Sequence, residues 1–534
     1  MRKLFHSEYL IMSSSRQWDC PVELSKKEKF ICSKLKNSGK LFVFLREQRH
    51  RIFDAQMEQQ LLTLYADHPI GKPPVPAALL AMASLLQCYE QKSDAAATLE
   101  AMFDVRWRMV LNCLSLDDEI APFSQGTLCD FRHRLVRHNM DEVLLEHTVN
   151  IAREFGGFGH TQLRIALDSA PLQGAGRVED TFNLVGHALE LLVSCAAKIR
   201  MTTEEQIQLE AGTQLVGKSS IKAALDIDWS VAAEKQNAIN TLLKDVLQLQ
   251  QWLSTQAPLV SEHKELQACL TLLDTVLSQN IEPDPDGGSR IKQGVAEDRL
   301  ISLHDGAMRH GKKSSSRTIN GFKQHIAVDI DTKLILATCV RPANEPEHKA
   351  AEWLKPKVLK VGEVKELSID RGYLAASWTV ELFHLGHKVI AKPWTSTNKG
   401  KFSKKEFEID LLNRRAVCPA GHSAGFSRAT PTQIRFGKER CDKCALKPQC
   451  TDSKTGKTLT LHVNEEMLQG LRRFVETPEG RAQARERTKV EHALASICNR
   501  KKHRARYIGL RLNEYDLNRT AAITNLHISM AMAA

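Results

Sequence analysis

The sequence contains no apolar run near the roughly 18 residues needed to cross a bilayer, which argues against a membrane-spanning chain. Aromatic residues make up only 6% of it, yet hydrophobic residues reach 42% and charged residues 26%, a balance that excludes a disordered chain. No internal repeat at periods of roughly 20 to 50 residues is present, so a solenoid or propeller is not expected. Residues 1–10 start basic, but His6, Ser7 and Glu8 interrupt the apolar core that a secretory signal would need. The expectation is therefore a cytoplasmic protein with reduced thiols, to which the odd count of 13 cysteines also points.

A chain of 534 residues corresponds to about three domains of ordinary size. Lys and Arg number 74 against 63 Asp and Glu, a net charge of +11. That excess falls short of ribosomal basicity but suits a polyanionic partner, nucleic acid first.

From about residue 27 to 156 the pattern is mainly helical, with apolar positions at helix spacing in Met57, Leu61, Leu62 and Leu64, then over 77–86 and 128–151. Gly71, Pro73, Pro74 and Pro76 interrupt it. Residues 122–127 read as a loop feeding a helix that carries Arg132, His133, Arg134, Arg137 and His138, a charge set suited either to DNA phosphates or to a solvated face. Period-two alternation of Leu163, Ile165 and Leu167 marks a short strand ending on Asp168 and Ser169 before Pro171. A helical stretch without strand signals follows over 181–280 and closes in a linker-like run, 282–288.

Beyond a basic, Ser-rich run at 309–317, Phe322, Gln324, Ile326 and Val328 face Leu334, Ile335 and Leu336 across Asp329 to Thr332, as in an antiparallel hairpin. Further strands are expected at 364–369, ending on Asp370, and at 388–391. Val490, Ala493, Leu494 and Ile497 mark a helix over 488–500. Strands interrupted by insertions and finished by a helix fit a mixed α/β core.

Phosphoryl transfer to water or to a sugar hydroxyl is served by two divalent cations held on a few rigidly placed carboxylates. Asp168 and Asp370 each follow a short apolar strand, and Glu491 is the best third acid because Arg487 precedes it and Arg500, Lys501 and Lys502 follow. A lone Asp at a strand end is more often a turn or cap residue, and Asp329 and Asp305 read as ordinary turn chemistry. His325 and His348 suit structural or substrate-facing roles, and His492 points about 100° around the helix from Glu491.

The segments Leu167-Asp168-Ser169-Ala170-Pro171, Asn320-Gly321-Phe322-Lys323-Gln324-His325-Ile326-Ala327-Val328-Asp329, Arg341-Pro342-Ala343-Asn344-Glu345 and Ile369-Asp370-Arg371-Gly372-Tyr373 occur in that order. With Arg487-Thr488-Lys489-Val490-Glu491-His492 and Arg504-Ala505-Arg506-Tyr507-Ile508-Gly509-Leu510, they resemble the DDE transposases of bacterial insertion sequences. The N-terminal helical region, the phrase Thr181-Phe182-Asn183-Leu184 and the late cysteines look most like the 1182 family. The resemblance runs from about Gln17 to Leu526. It implies an RNase H-like core with Asp168, Asp370 and Glu491 as catalytic acids holding Mg²⁺ or Mn²⁺, and DNA as partner. Related transposases often carry a Tyr and a Lys where this chain has Ala484 and Cys498; Arg487 fits the pattern, and Lys501 or Lys502 could supply the missing cation.

Cys418, Cys441, Cys444 and Cys450 are spaced as Cys-x22-Cys-x2-Cys-x5-Cys, with His422 close to the first. The knuckle and the charged residues around it suit a structural Zn²⁺, with free or redox thiols as the competing reading. The expected organisation is an N-terminal helical, DNA-end-binding domain (1–158), an RNase H-like mixed-sheet core in pieces (159–180 and 289–400), a helical insertion (181–288), a small cysteine-rich zinc-binding insertion (401–470) and C-terminal helices completing the core (471–534). The function expected is metal-dependent cleavage at element ends and strand transfer, by a homodimer or larger assembly associated with the bacterial nucleoid. Arg487, Lys501, Lys502, Arg504 and Arg506 are the expected phosphate contacts. The alternatives are a nuclease on the same core and a DNA-binding regulator or decayed copy that binds ends without cutting.

Overall fold

The computed structural model describes the chain outside residues 1–16, 19, 36–38, 66–73, 118, 160, 216–220, 286, 314–316, 395–397, 428–431, 502 and 534. Lys502 and the side chain of Lys501 thus lie outside the described residues. Helices dominate up to residue 154, and three of them bear on the site: α1 (Ala77–Tyr89), α2 (Gln125–Arg137) and α3 (Met140–Glu154). Apolar almost all round, α1 is buried over twelve of its thirteen residues, as an interior helix must be. The run 128–151, continuous in its periodicity, is split because Asn139 adopts a left-handed conformation at φ 54°. The Ser124 hydroxyl accepts from the Thr127 amide and caps α2, so the loop at 122–127 does feed a helix. Of the basic residues on that helix, Arg132 turns inward: it is buried, paired with Asp94 at 2.8 Å and hydrogen-bonded to Tyr507 Oη at 3.1 Å. His133, Arg137 and His138 are exposed.

Six strands form the central sheet: β1 (Gln162–Gln173), β2 (Arg309–Lys312), β3 (Thr318–Asp329), β4 (Ile335–Pro342), β5 (Glu363–Ile369) and β6 (Lys388–Ile390). β1 lies in the middle, antiparallel to β3 and parallel to β5, which in turn runs parallel to β6. β4 and β2 share the other edge of β3, both antiparallel to it. The mixed α/β class expected from the sequence is thus observed.

Three local expectations need correction. β1 does not end on Asp168 and Ser169 but continues to Gln173, because β3 keeps pairing with it as far as Gln173 opposite Gly321. Pro171 is tolerated there because β5 ends at the pair Leu167–Ile369, leaving β1 one full strand neighbour beyond that point. The basic run at 309–317 contains strand β2, and the linker-like residues 282–288 belong to a hairpin pairing Ile281–Pro283 with Ser289–Ile291. Turn-forming composition is common to linkers and hairpin turns, so composition alone did not separate them.

Between β1 and β2 lies a helical layer running from α4 (Thr181–Ile199) to α5 (Lys264–Asn280), with its own core of residues such as Leu184, Leu189, Leu242, Val246 and Leu273. Contrary to the sequence expectation, α4 is by length and composition apolar enough to cross a membrane, but most of its apolar side chains are packed into this core, Leu191 being exposed. Alternation along the central strands assigns the two sheet faces. Leu163, Ile165, Leu167, Leu367 and Ile369 pack with α6 (Glu347–Val361) and α7 (Ser377–His384). Ala166, Ala170, Leu172, Phe322 and Ile326 share a core with Val490, Leu494 and Ile497 of α8 (Thr488–Lys501) and Leu517 and Leu526 of α9 (Leu510–Ala533). The same core includes Leu79 and Leu85 of α1, so the N-terminal helices and the sheet are packed together through α9. Hydrogen bonds fix that buried helix: Tyr515 Oη with Ser84 Oγ at 2.8 Å, Asn518 Nδ2 to Asp141 at 2.7 Å and Asn525 Nδ2 to the Ile335 carbonyl at 2.9 Å.

Candidate active site

The parallel register of β1 and β5 ends at Leu167 opposite Ile369, so the next residues on each strand are Asp168 and Asp370. Neighbouring strands lie about 4.8 Å apart, which makes these two acids neighbours, and alternation turns Asp168 toward the α8 face of the sheet. Asp168 is largely buried, with 15% of its side chain exposed, and its Oδ1 accepts from the Ser169 amide at 2.8 Å. Asp370 is exposed and caps a short 3₁₀ turn, Arg371–Tyr373, accepting from the Arg371 amide at 2.7 Å.

Glu491 comes from α8, whose buried stripe of Val490, Leu494 and Ile497 seats it against β1 and β3. Arg487, one helical turn earlier, lies between the acids: its Nη2 donates to Glu491 Oε1 at 2.8 Å, and its Nη1 stands 3.7 Å from Asp168 Oδ1. Nη1 is buried without a hydrogen-bond partner among the described residues. Arg164 on β1 holds the start of this segment, pairing with Glu486 at 2.5 Å and with Glu366 on β5 at 3.0 Å.

Burial and neighbouring charge both act on Asp168. Burial is the largest influence on the Asp168 carboxyl and raises its pKa; the negative charges of Glu491 and Asp370 push the same way, while the Ser169 amide and Arg487 oppose them. Three carboxylates with a guanidinium between two of them form a donor set of hard oxygens suited to Mg²⁺ or Mn²⁺. Among the described residues, however, no group of three or more His, Cys, Asp or Glu side chains is arranged as it stands to hold a metal ion.

The remaining sequence candidates are more dispersed. Arg504 is exposed and bridges the end of β1 through its backbone, opposite Gln173. Arg506 is half-buried and donates to the Lys92 carbonyl, which ties it to the N-terminal helices. Cys498 is buried and receives a hydrogen bond from Gln324 Nε2 at 3.0 Å, and His492 is exposed. Asp329 accepts from the Thr332 amide and hydroxyl, the turn role expected of it.

Two contributors were missed by sequence reasoning. Tyr373, buried just after Asp370, is hydrogen-bonded through its Oη to His325 Nδ1 at 2.6 Å, and burial pushes His325 down to about 3, so that ring is neutral. Glu347 accepts from Ser169 Oγ at 2.6 Å. Nothing near Glu347 in the sequence marks it out; only the fold brings it to β1.

Away from the sheet, Cys418, Cys441, Cys444 and Cys450 line one small cavity of about 30 Å³ together with His422. None of the cysteines is in a disulfide. The Lys457 amide donates to Cys441 Sγ at 3.5 Å, and burial raises the Cys450 thiol, with the other three thiols acting in the same direction.

The family model described as "Transposase DDE domain" matches residues 417–528, about a fifth of the chain. That span contains the cysteine cavity, Arg487 and Glu491, and the match supports a DDE transposase. No curated protein and no solved structure matches the chain.

A carboxyl whose pKa is raised on folding binds more protons folded than unfolded between the two values, so its contribution to stability declines as pH rises through that window. Asp168→Asn is therefore expected to raise Tm at pH 7, with a gain that shrinks toward the carboxylate range. Thermal unfolding across that pH range checks this; a lower Tm at pH 7 would contradict the cost of the buried Asp168 charge described above.

Proposed function

We propose that the protein is a transposase that cuts DNA at the ends of a mobile element and joins the freed ends to target DNA, in the manner of the 1182 family. The observation that supports this reading is the placement of Asp168 and Asp370 just past the last β1–β5 pair, with Arg487 set between Asp168 and Glu491. The strand order β4-β3-β1-β5-β6, with β3 alone running against the others among these five, supports an RNase H-like core. Asp168, Asp370 and Glu491 would hold two Mg²⁺ or Mn²⁺ ions, which when bound supply an activated hydroxyl and stabilise the leaving oxygen. The chain's own residues would position the DNA: Arg487, adjacent to both Asp168 and Glu491, and exposed Arg504 are the proposed phosphate contacts, together with Arg506 and, outside the described residues, Lys502 and the side chain of Lys501.

The same reading divides the chain into N-terminal helices that recognise terminal inverted repeats (1–158), the core in three pieces (159–180, 289–400 and 471–534), and two insertions (181–288 and 401–470). Handling two ends calls for a homodimer or larger assembly, acting at the bacterial nucleoid. A nuclease on the same core would use identical residues, so reaction products separate the two. Binding without cutting is favoured by one observation: Cys498 is buried against Gln324 where related transposases carry a Lys.

Purified protein with Mg²⁺ or Mn²⁺ and a plasmid carrying its gene with native flanks is expected to yield cuts at flanking inverted repeats and joined products, and Asp370→Asn is expected to yield neither. End binding without cuts by both proteins would favour the binding-only reading, cuts without joining the nuclease, and equal products from the variant would remove Asp370 from the site.

Zn²⁺ is proposed for Cys418, Cys441, Cys444 and Cys450. Their convergence on one cavity and the amide donated to Cys441 Sγ support a tetrahedral thiolate site. Metal analysis is expected to find one zinc per chain, with Cys444→Ser losing it and lowering Tm. Zinc-free protein whose Tm is indifferent to chelator would contradict the assignment.

A further inference from the structure

Glu347 opens α6 and reaches the β1 segment that carries Asp168 from the opposite face. Ser169, which donates its hydroxyl to Glu347 Oε1 at 2.6 Å, directly follows Asp168. On the other side, a Cβ placed on Gly372 would lie 1.9 Å from Glu347 Oε2, so the carboxylate occupies the space a side chain there would need. Gly372 is two residues past Asp370. A single carboxylate therefore touches both segments that carry the strand-borne acids.

Alternation places this contact on the face opposite the acids' own partners. Ser169 lies in register with His325 and shares the α6 side of the sheet with Tyr373, whereas Asp168 faces α8. Tyr373 pins the 371–373 turn to β3 through His325. An acid in the first turn of a helix is ordinary, but helix-dipole stabilisation asks for neither a hydrogen bond to a neighbouring strand nor close packing on a glycine.

We infer that Glu347 is a positioning residue, which sets the spacing of Asp168 and Asp370 by holding Ser169 and the Gly372 turn from beneath. Its influence on the reaction passes through those two acids, and the inference rests on their proposed role as metal ligands. Residues that orient metal ligands from behind typically change metal affinity by about 10- to 100-fold when lost.

The test is titration of the full-length protein with Mn²⁺ alone, bound ion being read by electron paramagnetic resonance, with thermal unfolding in parallel. Glu347→Ala and Ser169→Ala are expected to weaken Mn²⁺ binding about 10-fold or more. Glu347→Gln keeps an oxygen acceptor for Ser169 and is expected to restore most of the affinity, a rescue that loss of general stability would not produce. Ser169→Ala removes only a hydroxyl, so it carries the test if Glu347→Ala does not fold. Wild-type affinity in Ser169→Ala, or a Glu347→Gln protein as weak as Glu347→Ala, overturns the inference. Asp370→Asn separates the two levels: weakened binding there with Glu347→Ala unaffected overturns the positioning role alone, whereas wild-type binding in both removes the metal reading as well.

Discussion

The largely buried charge of Asp168, facing the like charges of Glu491 and Asp370, is the constraint to which the surrounding structure answers. A buried carboxylate that faces like charges is tolerated where a cation stands beside it or where the backbone holds it in place. Both conditions hold. Arg487 supplies positive charge between Asp168 and Glu491, and the β1–β5 register sets Asp168 and Asp370 just past its last pair, Leu167–Ile369. A guanidinium meets the charge but not the hard-oxygen coordination that three carboxylates offer, which leaves the site chemically suited to divalent cations.

The rest of the fold makes that arrangement rigid. α9 lies between the N-terminal helices and the sheet, and its polar side chains are matched to partners on both sides, including Asp141 on α3 and the Ile335 backbone on β4. Buried polar groups satisfied in this way favour one arrangement of the layers over others. α8 is thereby held on β1 by Val490, Leu494 and Ile497, with Arg164 and Glu486 fixing its approach. On the opposite face, the chain of contacts through His325, Tyr373, Ser169 and Glu347 braces the same strand ends.

Much of this was legible in the sequence, because strand alternation and helical stripes are local. The strand ending before Asp370, the 322–336 hairpin and the helix of Glu491 form where the periodicity placed them, and the strand bearing Asp168 forms there but runs on to Gln173. What escaped depends on residues far apart in the chain. Arg132 reads as a surface cation until Asp94 and Tyr507 enclose it, and Arg506 until Lys92 offers it a carbonyl. The continuation of β1 past Pro171 depends on where β5 happens to end, and the hairpin around 282–288 has the composition of a linker. Glu347 has no sequence signal, since its meaning lies in what Ser169 and Gly372 place beside it.

The central claim is that the three acids form one divalent-cation site, and crystals of the full chain soaked in Mn²⁺ test it most directly through the anomalous signal of the metal. The account predicts a peak between Asp168 and Asp370, with Arg487 turned away from its place beside Asp168. Mn²⁺ bound only elsewhere, with Arg487 still between Asp168 and Glu491, would contradict it.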